Sequence, residues 1–129
     1  MKIPKGVLWA VGIILVAYGV GVLVNPVQMI GGSGVQLPTP NAVADGRATY
    51  GGLILGLGAF FIFSALDNAR VRAGLWAEVF TLGGFAVGRT LAVIIDSGAA
   101  TSQMFGLIAF ETILTLLGVI GLWRLPPGK

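Results

Sequence analysis

The sequence predicts an all-α integral membrane protein, an antiparallel four-helix bundle with both termini on the cytoplasmic side. Three observations carry that expectation. Of the 129 residues, 56% are hydrophobic and 10% charged, and the mean hydropathy is +0.94; a soluble domain carries about 25% charged residues. Four apolar stretches, at 6–24, 47–66, 74–95 and 104–123, are each near the ~20 residues that a helix needs to cross a ~30 Å hydrocarbon core. In a four-span arrangement Lys2, Lys5, Arg70, Arg72, Arg124 and Lys129 all fall on one side, which the positive-inside rule makes the cytoplasm. The whole chain, 1–129, reads as a single four-span membrane domain.

The first stretch follows Met1-Lys-Ile-Pro-Lys5 and is uncharged from Gly6 to Val24. It is longer than the ~7–15 apolar residues of a signal peptide and lacks a small-residue cleavage pattern, so we read it as a retained span. The second begins at Arg47. Thr39-Pro40 has the form of an N-cap followed by Pro at the first helical position, which leaves open a start near Pro40 that would carry Arg47 into the helix body; Gly46 argues mildly against it. The connection 25–46 is rich in Gly, Pro and Asn and long for so small a chain, a length usual for functional or mobile loops. The 67–73 turn is short and basic, and the 96–103 turn short and polar. Trp9, Trp76 and Trp123 lie near the expected cytoplasmic helix ends, as an aromatic belt requires. Gly52-x-x-x-Gly56 and Gly84-x-x-x-Gly88, with the weaker Ala17-x-x-x-Gly21, are expected to bring helices of the chain together; the sharper alternative is a dimer-forming face.

Charges inside the spans are the best functional lead. A charge at the centre of a membrane helix costs about 2.5–3.5 kcal/mol even on lenient scales, so it has a partner or a task. Glu78, Thr81, Phe85, Arg89, Ala92 and Asp96 recur at steps of three or four and share one face of the third span, expected to point into the bundle. Arg89 lies roughly 9 Å from the outer end of its helix and Glu111 roughly 10 Å into the next, at 1.5 Å per residue. That matched depth predicts an Arg89–Glu111 ion pair with two parallel hydrogen bonds. Glu78, about 16 Å from Arg89 along the helix, is expected to meet Arg70 or Arg72. Arg47 and Tyr50 stand one turn apart on the outer side. Tyr50 reads as an interfacial anchor and Arg47 as a partner of Asp45 or Asp96; alternatively Arg47, Tyr50, Arg89 and Glu111 line a pocket for an anionic head group or carboxylate.

Several chemistries drop out. Cys and His are absent, which removes disulfides, thiol catalysis, Cys/His zinc or haem ligation and His acid–base chemistry. Five scattered acids offer no metal spacing, no cofactor is expected, and the net charge of +3 forms no basic face for nucleic acid. No phosphate loop or nucleophile elbow occurs.

Arg47-Ala-Thr-Tyr-Gly-Gly-Leu53 resembles the corresponding stretch of DUF family 4345, small bacterial membrane proteins grouped as a domain of unknown function. Gly74-Leu75, the Gly-Gly-x-x-x-Gly-Arg run at 83–89, Asp96-x-Gly98 and Glu111 extend the resemblance over most of the chain from the second span onward. Asp45 stands where the family's pattern leads us to expect Glu. The resemblance implies a four-helix integral membrane protein, attaches no activity, and singles out Arg47, Tyr50, Arg89 and Glu111.

Four functions compete. The leading one is a small ligand-binding or accessory protein of the bacterial inner membrane, whose Arg47, Tyr50, Arg89 and Glu111 take a lipid or small amphiphile. The alternatives are a structural subunit that docks onto a homodimer or complex partner, and a small transporter coupled through Glu111 or Glu78. An enzyme is the reading we disfavour, because the acid and base it needs are too few.

Overall fold

The computed structural model describes residues 1–127, so the charge expected of Lys129 lies outside the described residues. All regular structure among them is helical: α1 (Lys2–Val24), α2 (Pro26–Gly31), α3 (Pro40–Gly46), a π-helical segment (Arg47–Leu53), α4 (Ile54–Ala65), α5 (Asn68–Ile95) and α6 (Ser102–Trp123). Segments α3, π and α4 join into one helical run, Pro40–Ala65. This run and α1, α5 and α6 are the four helices, among the described residues, long and apolar enough to cross a membrane.

The helices start earlier than hydropathy places them, because their first turns are polar and set by caps rather than by apolar composition. The Asp67 side chain accepts from Ala69 N at 3.0 Å, so Arg70 and Arg72 lie in the first turns of α5 and not in a connecting turn. Thr39 Oγ1 accepts from Ala42 N at 3.1 Å with Pro40 following, and the second helix begins there. Arg47 therefore sits in the middle of a helical run. Gly46 does not stop it: buried against Ile30 and Leu37, it occupies a place where packing outweighs low propensity. The expected long loop contracts to 32–39, with α2 capped by Asn25. Thr101 caps α6, and Gly98, at φ +84°, makes the left-handed step in the turn before it.

The chain divides into two compact units. One is Ala10–Phe63; the other joins Met1–Trp9 to the chain from Ser64 onward. In the Ala10–Phe63 unit the pairing of residues shows α1 and the Pro40 run to be antiparallel. Gly12 lies against Gly58 and Ile62, Gly19 against Gly51 and Leu55, and Leu23 against Gly51. A Cβ at Gly19 would fall 2.7 Å from Leu55 N, and one at Gly58 would fall 2.7 Å from Val16 N. The contact is therefore backbone against backbone, which small residues permit where lipid supplies no hydrophobic drive between helices.

These are not the glycines that the four-residue spacing selects. A Cβ at Gly52, Gly56, Gly84 or Gly88 meets nothing within 4 Å, and Ala17 is exposed. The packing pairs are Gly12/Gly19 and Gly51/Gly58, each seven residues apart. Seven residues are almost two full turns, so both members of a pair return to one face.

In the second unit α5 and α6 form an antiparallel hairpin. As the position on α5 climbs through Leu75, Glu78, Gly83 and Arg89, its neighbour on α6 falls through Gly121, Gly118, Thr115 and Glu111. The first turns of α1 bring Pro4 to Gly121 and Leu8 to Gly74, and Ser64 also rests on Gly74. Large apolar side chains cover the exterior, Trp9, Trp76, Trp123, Phe60, Phe63, Phe80 and Phe85 among them, while Phe61 is buried. An outside this apolar is that of a chain whose solvent is lipid.

Candidate functional site

Arg89 and Glu111 meet in the α5–α6 hairpin. Arg89 Nε donates to both oxygens of the Glu111 carboxylate, at 2.9 and 3.1 Å. This differs from the expected fork-to-fork pair, since one N–H serves both oxygens and the two terminal nitrogens are left out. Neither of them has a partner among the described residues. Burial is unequal: the Glu111 side chain is 8% exposed and that of Arg89 34%. Glu111 is thus enclosed and held, while the more exposed Arg89 keeps four terminal N–H donors unused. The Thr115 hydroxyl donates to the main-chain carbonyl of Glu111 one turn earlier, at 2.8 Å.

The face shared by Glu78, Thr81, Phe85, Arg89, Ala92 and Asp96 does not point inward along its length. The buried line on α5 runs Val71, Leu75, Glu78, Leu82, whereas Phe85 and Asp96 are exposed. The five steps sum to 18 residues, five full turns, so the stripe keeps one angular position on the helix; its burial is lost because the buried part of α5 ends at Leu82.

Glu78 does not reach Arg70 or Arg72. It is fully buried, and neither carboxylate oxygen has a hydrogen-bond partner. Arg70 instead pairs with Asp67 at 3.1 Å across three residues, and Arg72 is exposed. The basic residues lie on the solvent side of the first turns of α5 while Glu78 faces α6. Asp96 ends α5, where its backbone N–H donates to Ala92 O, and it makes no ion pair among the described residues.

The other unit holds Arg47 and Tyr50. Arg47 opens the π-helical segment and donates through NH1 to the backbone carbonyl of Leu23. Leu23 is in the last turn of α1, where carbonyls lack intrahelical donors and a cation is favourable. The partner of Arg47 within its own unit is thus a helix end, not the Asp45 carboxylate. Tyr50 is exposed and lies within the Pro40–Ala65 run, not at its end. The π-helical register was not legible beforehand: no local residue pattern marks it, although Gly51 and Gly52 lower the cost of unusual backbone geometry. Segments of this kind are frequent at functional sites, and this one coincides with Arg47–Leu53, the most distinctive heptapeptide of the sequence. No group of three or more His, Cys, Asp or Glu side chains converges among the described residues, so no metal is assigned.

A family model described as "Domain of unknown function (DUF4345)" matches residues 3–122. The chain belongs to this family. DUF4345 membership carries no activity with it, and the match takes in α1, the π-helical heptapeptide and both members of the Arg89–Glu111 pair. No curated protein and no solved structure matches the chain.

Proposed function

We propose that this DUF4345 protein is a small ligand-binding or accessory protein of the bacterial inner membrane, and that Arg89 receives the anionic group of a lipid or small amphiphile. The single observation behind this reading is the one-sided pairing of Arg89. Glu111 fixes the guanidinium through Nε, and the terminal nitrogens of this partly exposed side chain, without described partners, remain for a second anion. That outer edge is the part of a guanidinium suited to two parallel hydrogen bonds with a phosphate or carboxylate. Held by a buried carboxylate, the side chain is pre-oriented, which lowers the entropy lost on binding. Arg47 and Tyr50 are assigned the same class of ligand chemistry on the π-helical segment. The proposal includes a single four-span antiparallel bundle with both termini cytoplasmic, supported by the position of Lys2, Lys5, Arg70, Arg72 and Arg124 under the positive-inside rule.

Native mass spectrometry of the protein released from lipid nanodiscs tests the reading, with wild type beside Arg89→Lys and Arg89→Ala. Lysine keeps the charge opposite Glu111 but lacks the fork, so a discrete bound mass in wild type should be lost in both variants while Arg89→Lys stays folded. A clean unliganded mass in wild type, or an adduct that Arg89→Lys retains in full, would sink it.

A second reading, a structural subunit of a membrane complex, is favoured by the open faces at Gly52/Gly56 and Gly84/Gly88, which would admit a helix of another subunit at close range. Exchanging the charges, Arg89→Glu with Glu111→Arg, separates the two. Function that survives the exchange supports the structural subunit; function lost from a folded exchange variant supports the ligand site.

A further inference from the structure

The described residues contain a second carboxyl site that the Arg89 reading does not use. Glu78 is fully buried in the unit that holds the α5–α6 hairpin, and both of its oxygens lack a hydrogen-bond partner. Its carboxylate lies directly on the backbone of α6 at Gly118, where a Cβ would collide with it. One turn earlier on α5, Gly74 admits Ser64, whose Oγ is also buried without a partner. We propose that Glu78 is a proton-binding carboxyl, enclosed between α5 and α6 and carrying its proton as the bound ligand in the packed state.

Three arguments lead there. The first is the cost of charge. An ionised carboxylate enclosed without a donor carries a far larger desolvation penalty than a neutral carboxyl, which leaves one hydroxyl and one carbonyl unmet. The second is the surroundings. From α6 the group against Glu78 is Gly118, Leu114 and Gly121 are also buried on that helix, and its one ionisable residue, Glu111, is held by Arg89. The end of α4 contributes Ser64, beyond which Asp67 is held by Arg70. The first turns of α1 contribute Pro4 and Leu8, with Lys2 and Lys5 the ionisable residues there. On α5 itself Arg70 and Arg72 precede the site and Arg89 follows it, and none of these hydrogen-bonds to Glu78. The third is space. The cradle that excludes a single methyl group at Gly118 has no room for a hydrated or multiply ligated cation, and a proton is the one ligand that adds no volume.

The site also has a built-in condition for release. Ionisation needs water or a donor at the carboxyl, and the contact with Gly118 stands in the way. Proton loss at Glu78 is therefore coupled to separation of α5 from α6, a coupling that a small accessory or transport protein can use. This inference is independent of the ligand assigned to Arg89.

The chain contains two glutamates, Glu78 and Glu111, so labelling glutamate side-chain carboxyls with ¹³C yields two carboxyl signals in wild-type protein in nanodiscs. At neutral pH we expect one signal at the carboxylic-acid position and one at the carboxylate position. Glu111→Gln should remove the carboxylate signal and leave the acid signal. Glu78→Gln, the neutral isostere of the protonated side chain, should do the reverse. Two carboxylate signals in wild type overturn the proposal, as does an acid signal that disappears in Glu111→Gln. Two carboxylate signals are read from wild type alone, and where an acid signal is present either variant that folds is enough to assign it.

Discussion

The two antiparallel helix pairs solve the same problem by different physics. In the Ala10–Phe63 unit, α1 and the Pro40–Ala65 run meet through Gly12, Gly19, Gly51 and Gly58, with backbone atoms nearest at Gly19 and Gly58. In the α5–α6 hairpin the contact carries polar groups: Arg89 on Glu111, and the Glu78 carboxyl pressed on Gly118. Lipid rewards neither pair for hiding apolar surface. One helix pair therefore gains dispersion from close approach, and the other gains from polar groups that have nowhere else to be satisfied. The glycine pair tolerates no added atom. The polar pair tolerates a change of volume better than a change of charge.

Adding volume to the glycine pair should have the largest effect. Gly19→Leu and Gly58→Leu place a side chain where backbone atoms already sit, and we expect loss of folded protein in detergent. Gly19→Ala and Gly58→Ala should each cost about 1–3 kcal/mol, the usual range for overpacking, in reversible unfolding titrations. Tolerance of leucine at either position would show that the unit is held by something other than backbone contact.

Removing charge from the polar pair comes next. Glu111→Ala strips Arg89 of its partner. A fully buried broken pair costs about 3–5 kcal/mol, and the partial exposure of Arg89 should reduce this to about 2 kcal/mol. Glu111→Ala combined with Arg89→Leu should recover part of that loss, since both charges are then gone. A double variant no more stable than Glu111→Ala alone would mean that the pair's charges do not matter to folding.

A smaller effect, about 1–2 kcal/mol, is expected for Gly118→Ala, because the displaced group is the movable end of Glu78 and not backbone. The pair should be strongly non-additive: in a Glu78→Ala background the added methyl at Gly118 should cost much less. Equal cost in both backgrounds would place the clash at Val79, which also lies near Gly118.

The smallest effect belongs to Gly52, Gly56, Gly84 and Gly88. Alanine at these open positions should be neutral to stabilising by up to about 1 kcal/mol through helix propensity. A large loss of stability at any of them, read in monomeric protein, would contradict the open surroundings. A loss confined to an assembled state would favour the structural-subunit reading.

Much of this was legible along the chain, for identifiable reasons. Apolar runs of span length are a one-dimensional property, so the four long helices follow from composition. The N-cap at Thr39 is equally local, since Thr followed by Pro meets the needs of a helix start. The nearness of Arg89 to Glu111 follows from counting residues on either side of a short turn. Counting could not say which guanidinium nitrogen would be used, and it sent Glu78 toward the basic residues of its own first turns when the helix instead turns it onto α6. The glycine motifs misled for a similar reason: spacing shows that two glycines share a face, not which face meets another helix.

The sequence by itself determined the helical class, the span-length apolar segments, the N-cap at Thr39, and the few charges placed inside the spans, because each depends on composition or on neighbours a few residues away. The tertiary structure alone decided which glycines carry backbone contacts, that Arg47 caps the end of α1, that a π-helical segment underlies the distinctive heptapeptide, and that Glu78 is enclosed without a partner. Those outcomes depend on the rotation of one helix about its axis against another, and residues distant in the chain set that angle together.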